Sequence, residues 1–178
     1  MIPTGEATLG PFFPPRYVDE GANDLTVFRE TKANGDPIEI RGRVMQEDGA
    51  ALENLIVEIW QADAAGIYRH PADPRQAQAD PGFLGWGRAA TDAEGAYSFR
   101  TIRPGAPQGR LAHVNFMVMF SGLMRILKTT MFFENGDDPV LNLVSTRKNL
   151  LIGKKAGQNV YRFDIQLRGE NETPFFDD

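Results

Sequence analysis

Six stretches of this chain show either the period-two alternation of a half-buried strand or the short apolar run of a buried one. Ile38-Glu39-Ile40-Arg41-Gly42-Arg43-Val44 alternates cleanly, and Leu55–Trp60 is apolar enough to predict a more buried neighbour. Ala96–Ile102 alternates again, His113–Phe120 and Met124–Phe133 follow, and Val160–Leu167 closes the series. Turn chemistry separates these runs, most clearly at Gln46-Glu47-Asp48-Gly49 and Thr91-Asp92-Ala93-Glu94-Gly95. One short helix is predicted over Val144–Ile152, stopped by Gly153. Residues 1–35 read as an irregular arm, because Gly10-Pro11-Phe12-Phe13-Pro14-Pro15 holds too much proline for a helix or central strand. Asp63–Arg88 is rich in Ala, Gly, Pro and Asp without periodicity, and a loop that long in a compact domain is more often functional than accidental. The pattern predicts an all-β sandwich of about eight strands in a single domain spanning 1–178.

Composition narrows the function classes. The 19 basic residues are scattered and outnumbered by 24 acidic ones, which argues against a nucleic-acid partner. No apolar run approaches the ~20 residues that span a bilayer, and no signal-peptide core opens the sequence, so a cytoplasmic protein without a membrane partner is expected. With no cysteine there is neither a disulfide framework nor a thiolate metal site. Only two histidines, His70 and His113, are present, so phenolate or carboxylate oxygens would have to complete any iron site, and the tyrosines are Tyr17, Tyr68, Tyr97 and Tyr161.

Several segments in order resemble the intradiol ring-cleaving dioxygenases. Val57-Glu58-Ile59-Trp60-Gln61-Ala62-Asp63-Ala64-Ala65-Gly66-Ile67-Tyr68 matches that family's V-E-I-W-Q-A-D-x-x-G-x-Y signature. Phe83–Arg88, Thr91–Phe99 and Thr101-Ile102-Arg103-Pro104-Gly105 follow in the family's sequence, while Tyr161–Ile165 and Gly169–Phe176 look like its protocatechuate branch. The resemblance covers nearly the whole chain and implies a β-sandwich of mixed sheets with long loops and little helix.

The family's chemistry rests on Fe(III) held by two tyrosinates and two histidines. The first tyrosine ends the signature, the second follows the Pro-Gly pair, and the histidines form H-x-H on the next strand. Carried over residue by residue, Tyr68 and His113 stand at two ligand positions, while Ala106 and Asn115 stand at the other two. The resemblance therefore implies a vestigial site without bound metal and with no catalytic residue of its own. His113-Val114-Asn115 reads like the H-x-N of alpha-type chains, whose Fe(III) lies in a homologous beta-type partner within an alpha-beta oligomer acting on a catecholic acid and O2. The arm segment Thr8-Leu9-Gly10-Pro11 matches the T-x-G-P that lines the partner's substrate entrance, which puts Thr8, Gly10 and Pro11 at that site. Ser121 occupies a lining position where alpha chains often carry arginine, and Arg110 matches an arginine of the catalytic pattern.

Structural roles stand beside these readings. Tyr68 also reads as a half-buried tyrosine with a bonded hydroxyl, and His113 as a satisfied core histidine. His70 reads as solvated, Arg88 and Arg103 as ion-pairing, and Trp60 and Trp86 as packing residues. Three functions follow: a non-catalytic subunit completing a partner's iron site, a stand-alone β-sandwich binding or scaffold protein, or a dioxygenase with an unusual ligand set.

Overall fold

Alternation along Pro37–Met45 sends Ile38, Ile40 and Val44 inward and leaves Arg41 and Arg43 outside, and this strand organises one of the two sheets. The structure is a computed structural model that describes residues 18–121, 123 and 125–176. The described strands are β1 (Val27–Phe28), β2 (Thr31–Lys32), β3 (Pro37–Met45), β4 (Ile56–Trp60), β5 (Trp86–Ala90) and β6 (Ala96–Ile102). They continue with β7 (His113–Met119), β8 (Leu127–Phe132), β9 (Lys154–Lys155), β10 (Val160–Arg162) and β11 (Ile165–Gln166). In the first sheet β3 pairs antiparallel with β6 on one side and parallel with β10 and β11 on the other, with β9 beyond β10. The second sheet runs β5-β4-β7-β8, antiparallel throughout. Mixed pairing in one sheet and meander-like pairing in the other confirm the predicted sandwich. Its core lies between the sheets, where Ile40, Val57, Ile59, Phe99, Val114, Phe116 and Phe163 are fully or almost fully buried. No helix among the described residues is long and apolar enough to cross a membrane.

The structure departs from the sequence pattern in four places. Val160–Leu167 is not one strand, although Val160 lies opposite Glu39 and Ile165 opposite Val44 in an uninterrupted register. The break has a chemical cause. The Phe163 carbonyl accepts the Tyr97 hydroxyl at 2.5 Å, and the Asp164 carboxylate takes the Arg43 N–H at 3.1 Å, so two ladder partners are diverted to side chains. The helix predicted over Val144–Ile152 is replaced by two 3-10 turns, Leu141–Leu143 and Lys148–Leu151, with Arg147 in the left-handed region (φ 55°) between them. The predicted loop ends earlier than Arg88, because Trp86–Ala90 pairs with β4 despite its glycine and alanines. The arm predicted to reach residue 35 also gives way early. Leu25 is buried in the core, Asp24 bridges Arg100, and β1 and β2 form a hairpin.

Gly42 marks the tightest approach in the first sheet. A Cβ there would lie 1.8 Å from the Phe163 carbonyl oxygen and 2.6 Å from the Tyr97 hydroxyl. Gly42→Ala is expected to force β3 away from the closing strand and to destabilise the chain by about 3 kcal/mol. Urea denaturation checks this, and an unchanged midpoint would contradict the close packing.

Candidate functional site

Residues that alternate away from the core collect on the far face of the second sheet. On β7 the core takes Val114, Phe116 and Val118, so His113 and Asn115 share the opposite face, two residues apart. Asn115 lies opposite Trp60 of β4 on one side and Thr130 of β8 on the other. The sheet therefore presents a row of Trp60, Asn115 and Thr130, with His113 one step along it.

Residues 61–85 join β4 to β5 and bring Tyr68 over this row. Carboxylates tie the segment down. Asp63 accepts the backbone N–H groups of Ala65 (2.9 Å), Ile67 (3.0 Å) and Asp80 (2.9 Å), and Asp80 in turn accepts those of Asn34 (2.6 Å) and Gly82 (2.8 Å). Buried Gln61 donates to the Ile102 carbonyl at 3.0 Å and accepts the Thr101 hydroxyl at 2.9 Å. Gly66 (φ +74°) passes so close to residues 106–107 that a Cβ would meet the Ala106 carbonyl oxygen at 2.3 Å. Asp73 accepts the Tyr68 N–H at 3.0 Å. That bond, the Arg75 N–H and the Arg75 side chain hold its carboxyl below the usual carboxylate range against the opposing effect of burial.

The side chains that converge form one directed chain of hydrogen bonds. The His113 Nδ1 lies 2.7 Å from the Leu111 carbonyl, which can only accept, so Nδ1 carries the proton and Nε2 is the acceptor. The Tyr68 hydroxyl donates to that Nε2 at 2.8 Å, and the Asn115 amide donates to the Tyr68 oxygen at 3.3 Å. The Thr130 hydroxyl completes the chain by donating to the Asn115 amide oxygen at 3.2 Å. Burial pushes the Tyr68 phenol up, partly offset by the Asn115 bond and the nearby Arg110 charge. Burial also depresses His113, against the Leu111 bond, so phenol and imidazole are both neutral near pH 7.

Before β7, Arg110 Nε pairs with the fully buried Asp138 at 2.8 Å. The same carboxylate accepts the N–H groups of Leu111 (2.9 Å), Val140 (2.8 Å) and Leu141 (3.3 Å). Arg110 Nη2 is buried without a hydrogen-bond partner. A cleft of about 270 Å³ opens in front of Tyr68, lined by Trp60, His70, Asp73, Pro74, Arg75, Pro107 and Gln108.

Of the four metal-ligand positions named from the sequence, Tyr68, His113 and Asn115 come together, and their chemistry does not suit Fe(III). Tyr68 and His113 face each other and are already bonded. Asn115 offers a neutral amide, and Ala106 is an exposed methyl. One phenol and one imidazole are half of a two-tyrosinate, two-histidine set, so these residues do not fit the ion.

Other named residues lie elsewhere. Ser121 follows Met119, the end of β7 that lies about 20 Å from His113 at strand rise. Thr8, Gly10 and Pro11 lie outside the described residues. His70 is exposed, with its ring 5.4 Å from Trp60. Arg88 pairs with buried Glu58 as expected, at 2.6 Å from Nε. Arg103 instead donates to the Tyr161 hydroxyl at 2.8 Å and sits 4.5 Å over the Phe133 ring. Sequence reasoning missed Thr130 and Asp138. Thr130 carried no signal inside an apolar run, whereas the Asp138-Pro139 pair is a turn signal whose carboxylate could have been anticipated as a cap.

A family profile described as Dioxygenase matches residues 9–169. The protocatechuate 3,4-dioxygenase beta chain of Burkholderia cepacia is 36% identical, covering 98% of this chain and 84% of its own length. The alpha chain from the same organism is 34% identical over 98% of this chain and 96% of its own. Among solved structures, the dioxygenase domain of a dioxygenase–carbohydrate-binding fusion from Streptomyces sp. SirexAA-E is 26% identical with a TM-score of 0.60, covering 93% of this chain and 98% of that one. An intradiol ring-cleavage dioxygenase from Tetranychus urticae shares the fold at 18% identity and a TM-score of 0.61, over 90% and 92% of the two chains. The chain belongs to the intradiol ring-cleaving dioxygenases, a family of oxidoreductases.

Asp138 gives the site a pH signature. Burial alone would raise its carboxyl, but the Arg110 bond and the backbone donors outweigh this and hold it below the ordinary range. A depressed folded-state value contributes stability that is present above the unfolded value and lost as pH falls through the folded one. Asp138→Asn is expected to be about 3 kcal/mol less stable than the parent near pH 7. The gap should begin to narrow below about pH 4, where the unfolded chain's carboxyl takes up a proton, and close as pH falls further through the folded-state value. Denaturation at stepped pH checks this, and a gap independent of pH would contradict it.

Proposed function

We propose that this chain is the alpha-type, non-catalytic subunit of a protocatechuate 3,4-dioxygenase. In this reading Fe(III) lies in a homologous beta-type partner, and the alpha-beta oligomer opens protocatechuate with O2 to 3-carboxy-cis,cis-muconate. One observation carries the reading: of the four ligand positions, two hold no ligand and the other two are hydrogen-bonded to each other. The likeness to both chain types over nearly the full length supports membership of such a pair, and 36% against 34% identity does not choose between them. The choice rests on Ala106 and Asn115. Arg110, which resembles the catalytic pattern, has a structural occupation here through Asp138. The contribution to the partner's site is assigned to Thr8, Gly10 and Pro11, with Ser121 as a further lining residue. The absence of cysteine accords with a cytoplasmic location.

Purified alone, the chain is expected to be colourless and free of iron, because ferric tyrosinate absorbs visible light. Co-expressed with an iron-complete homologue, it should form a stable complex that cleaves the ring. Thr8→Ala and Gly10→Val should lower that activity severalfold while the complex stays intact. A red-brown chain on its own, or a complex whose activity ignores both substitutions, would contradict the assignment.

A further inference from the structure

At the vestigial site, Ala106 and Asn115 remove two ligands, and the geometry shows what Asn115 adds. Asn115 is a two-ended group. Its amide nitrogen donates to the Tyr68 oxygen at 3.3 Å, and its amide oxygen accepts from Thr130 at 3.2 Å. An apolar side chain offers neither end, and an imidazole presents its donor and acceptor on a rigid ring of different shape. Tyr68 is thereby held with its proton directed to His113 Nε2, the one ring nitrogen left as an acceptor by Leu111.

We infer that Asn115 is a positioning residue that converts a metal-type site into a proton-held clasp, locking the 61–85 segment onto the sheet and committing the two remaining ligand atoms to each other. The clasp joins three elements distant in sequence: Tyr68 from the loop, His113 and Asn115 from β7, and Thr130 from β8. It takes the place that a bound ion would fill in fastening a loop to a strand. A cation entering the site must first displace the Tyr68 proton and break the bond to His113, while Asn115 has no charge to offer it. The inference concerns this chain's own residues and stands or falls separately from the subunit assignment.

The same geometry predicts how the clasp is undone. With a histidine at 115, two imidazoles two residues apart on one strand face would confront the Tyr68 oxygen, an N2O set suited to a borderline divalent cation. The probe is Co2+, read by its visible bands on the full chain. The parent should show none at stoichiometric cobalt. Asn115→His should develop them, and adding Tyr68→Phe should weaken them. Stability supplies the second readout. Asn115→Ala and Tyr68→Phe should each lower the melting temperature by roughly 3–6 °C. The double variant should lose clearly less than the sum, because both remove the same chain of bonds. Thr130→Val, a milder change that keeps the strand, should give a smaller drop. Cobalt bands in the parent equal to those of Asn115→His would overturn the inference. So would a folded Asn115→His that stays colourless, or melting shifts that simply add.

Discussion

A long segment can lie across a sheet only if its backbone polar groups find partners there, and in this protein carboxylates supply them. Residues 61–85 have little regular structure, yet Asp63, Asp73 and Asp80 accept backbone N–H groups along them. Gln61 anchors the start of the segment to the end of β6. Without these bonds the segment would carry unsatisfied amides, and Tyr68 would have no reason to stand above His113. The signature residues Gln61, Asp63 and Gly66 are thus explained by loop geometry before any chemistry is invoked. Gly66 is needed for its close pass against Ala106.

This separation of scaffold from side-chain chemistry accounts for how these groups can converge on hydrogen bonds alone. The loop is fastened by carboxylates and glycines that act on backbone groups and leave the Tyr68, His113 and Asn115 side chains untouched. The frame therefore does not depend on what stands at those side-chain positions, and the converging groups are free to bond to one another. The result is a directed chain from Thr130 to Leu111 in which each donor meets an acceptor. Burial is the main reason His113 stays neutral; the Arg110 charge acts in the same direction and its partner Asp138 opposes it.

Much of the architecture was legible from alternation alone. The long strands β3, β4, β6 and β7 appear nearly where the pattern put them, because one or both of their faces are buried and the side-chain period is unambiguous. What failed were elements set by particular bonds. Trp86–Ala90 holds too little β-branched content to announce itself, and its pairing comes from β4. The interruption at Phe163-Asp164 depends on Tyr97, far away in sequence. At the site, Tyr68, His113 and Asn115 could be named from spacing and resemblance, and they do come together. Thr130 could not, since a threonine on a strand has many ordinary uses, whereas Asp138 before a proline gave a turn signal only.

The central claim is that iron in this system belongs to a partner chain and that the equivalent place here is held by hydrogen bonds. Crystals of the co-expressed complex, measured on both sides of the iron absorption edge, test this most directly. The account predicts an anomalous peak in the partner and none between Tyr68 and His113. A peak between those two residues at comparable height would contradict it.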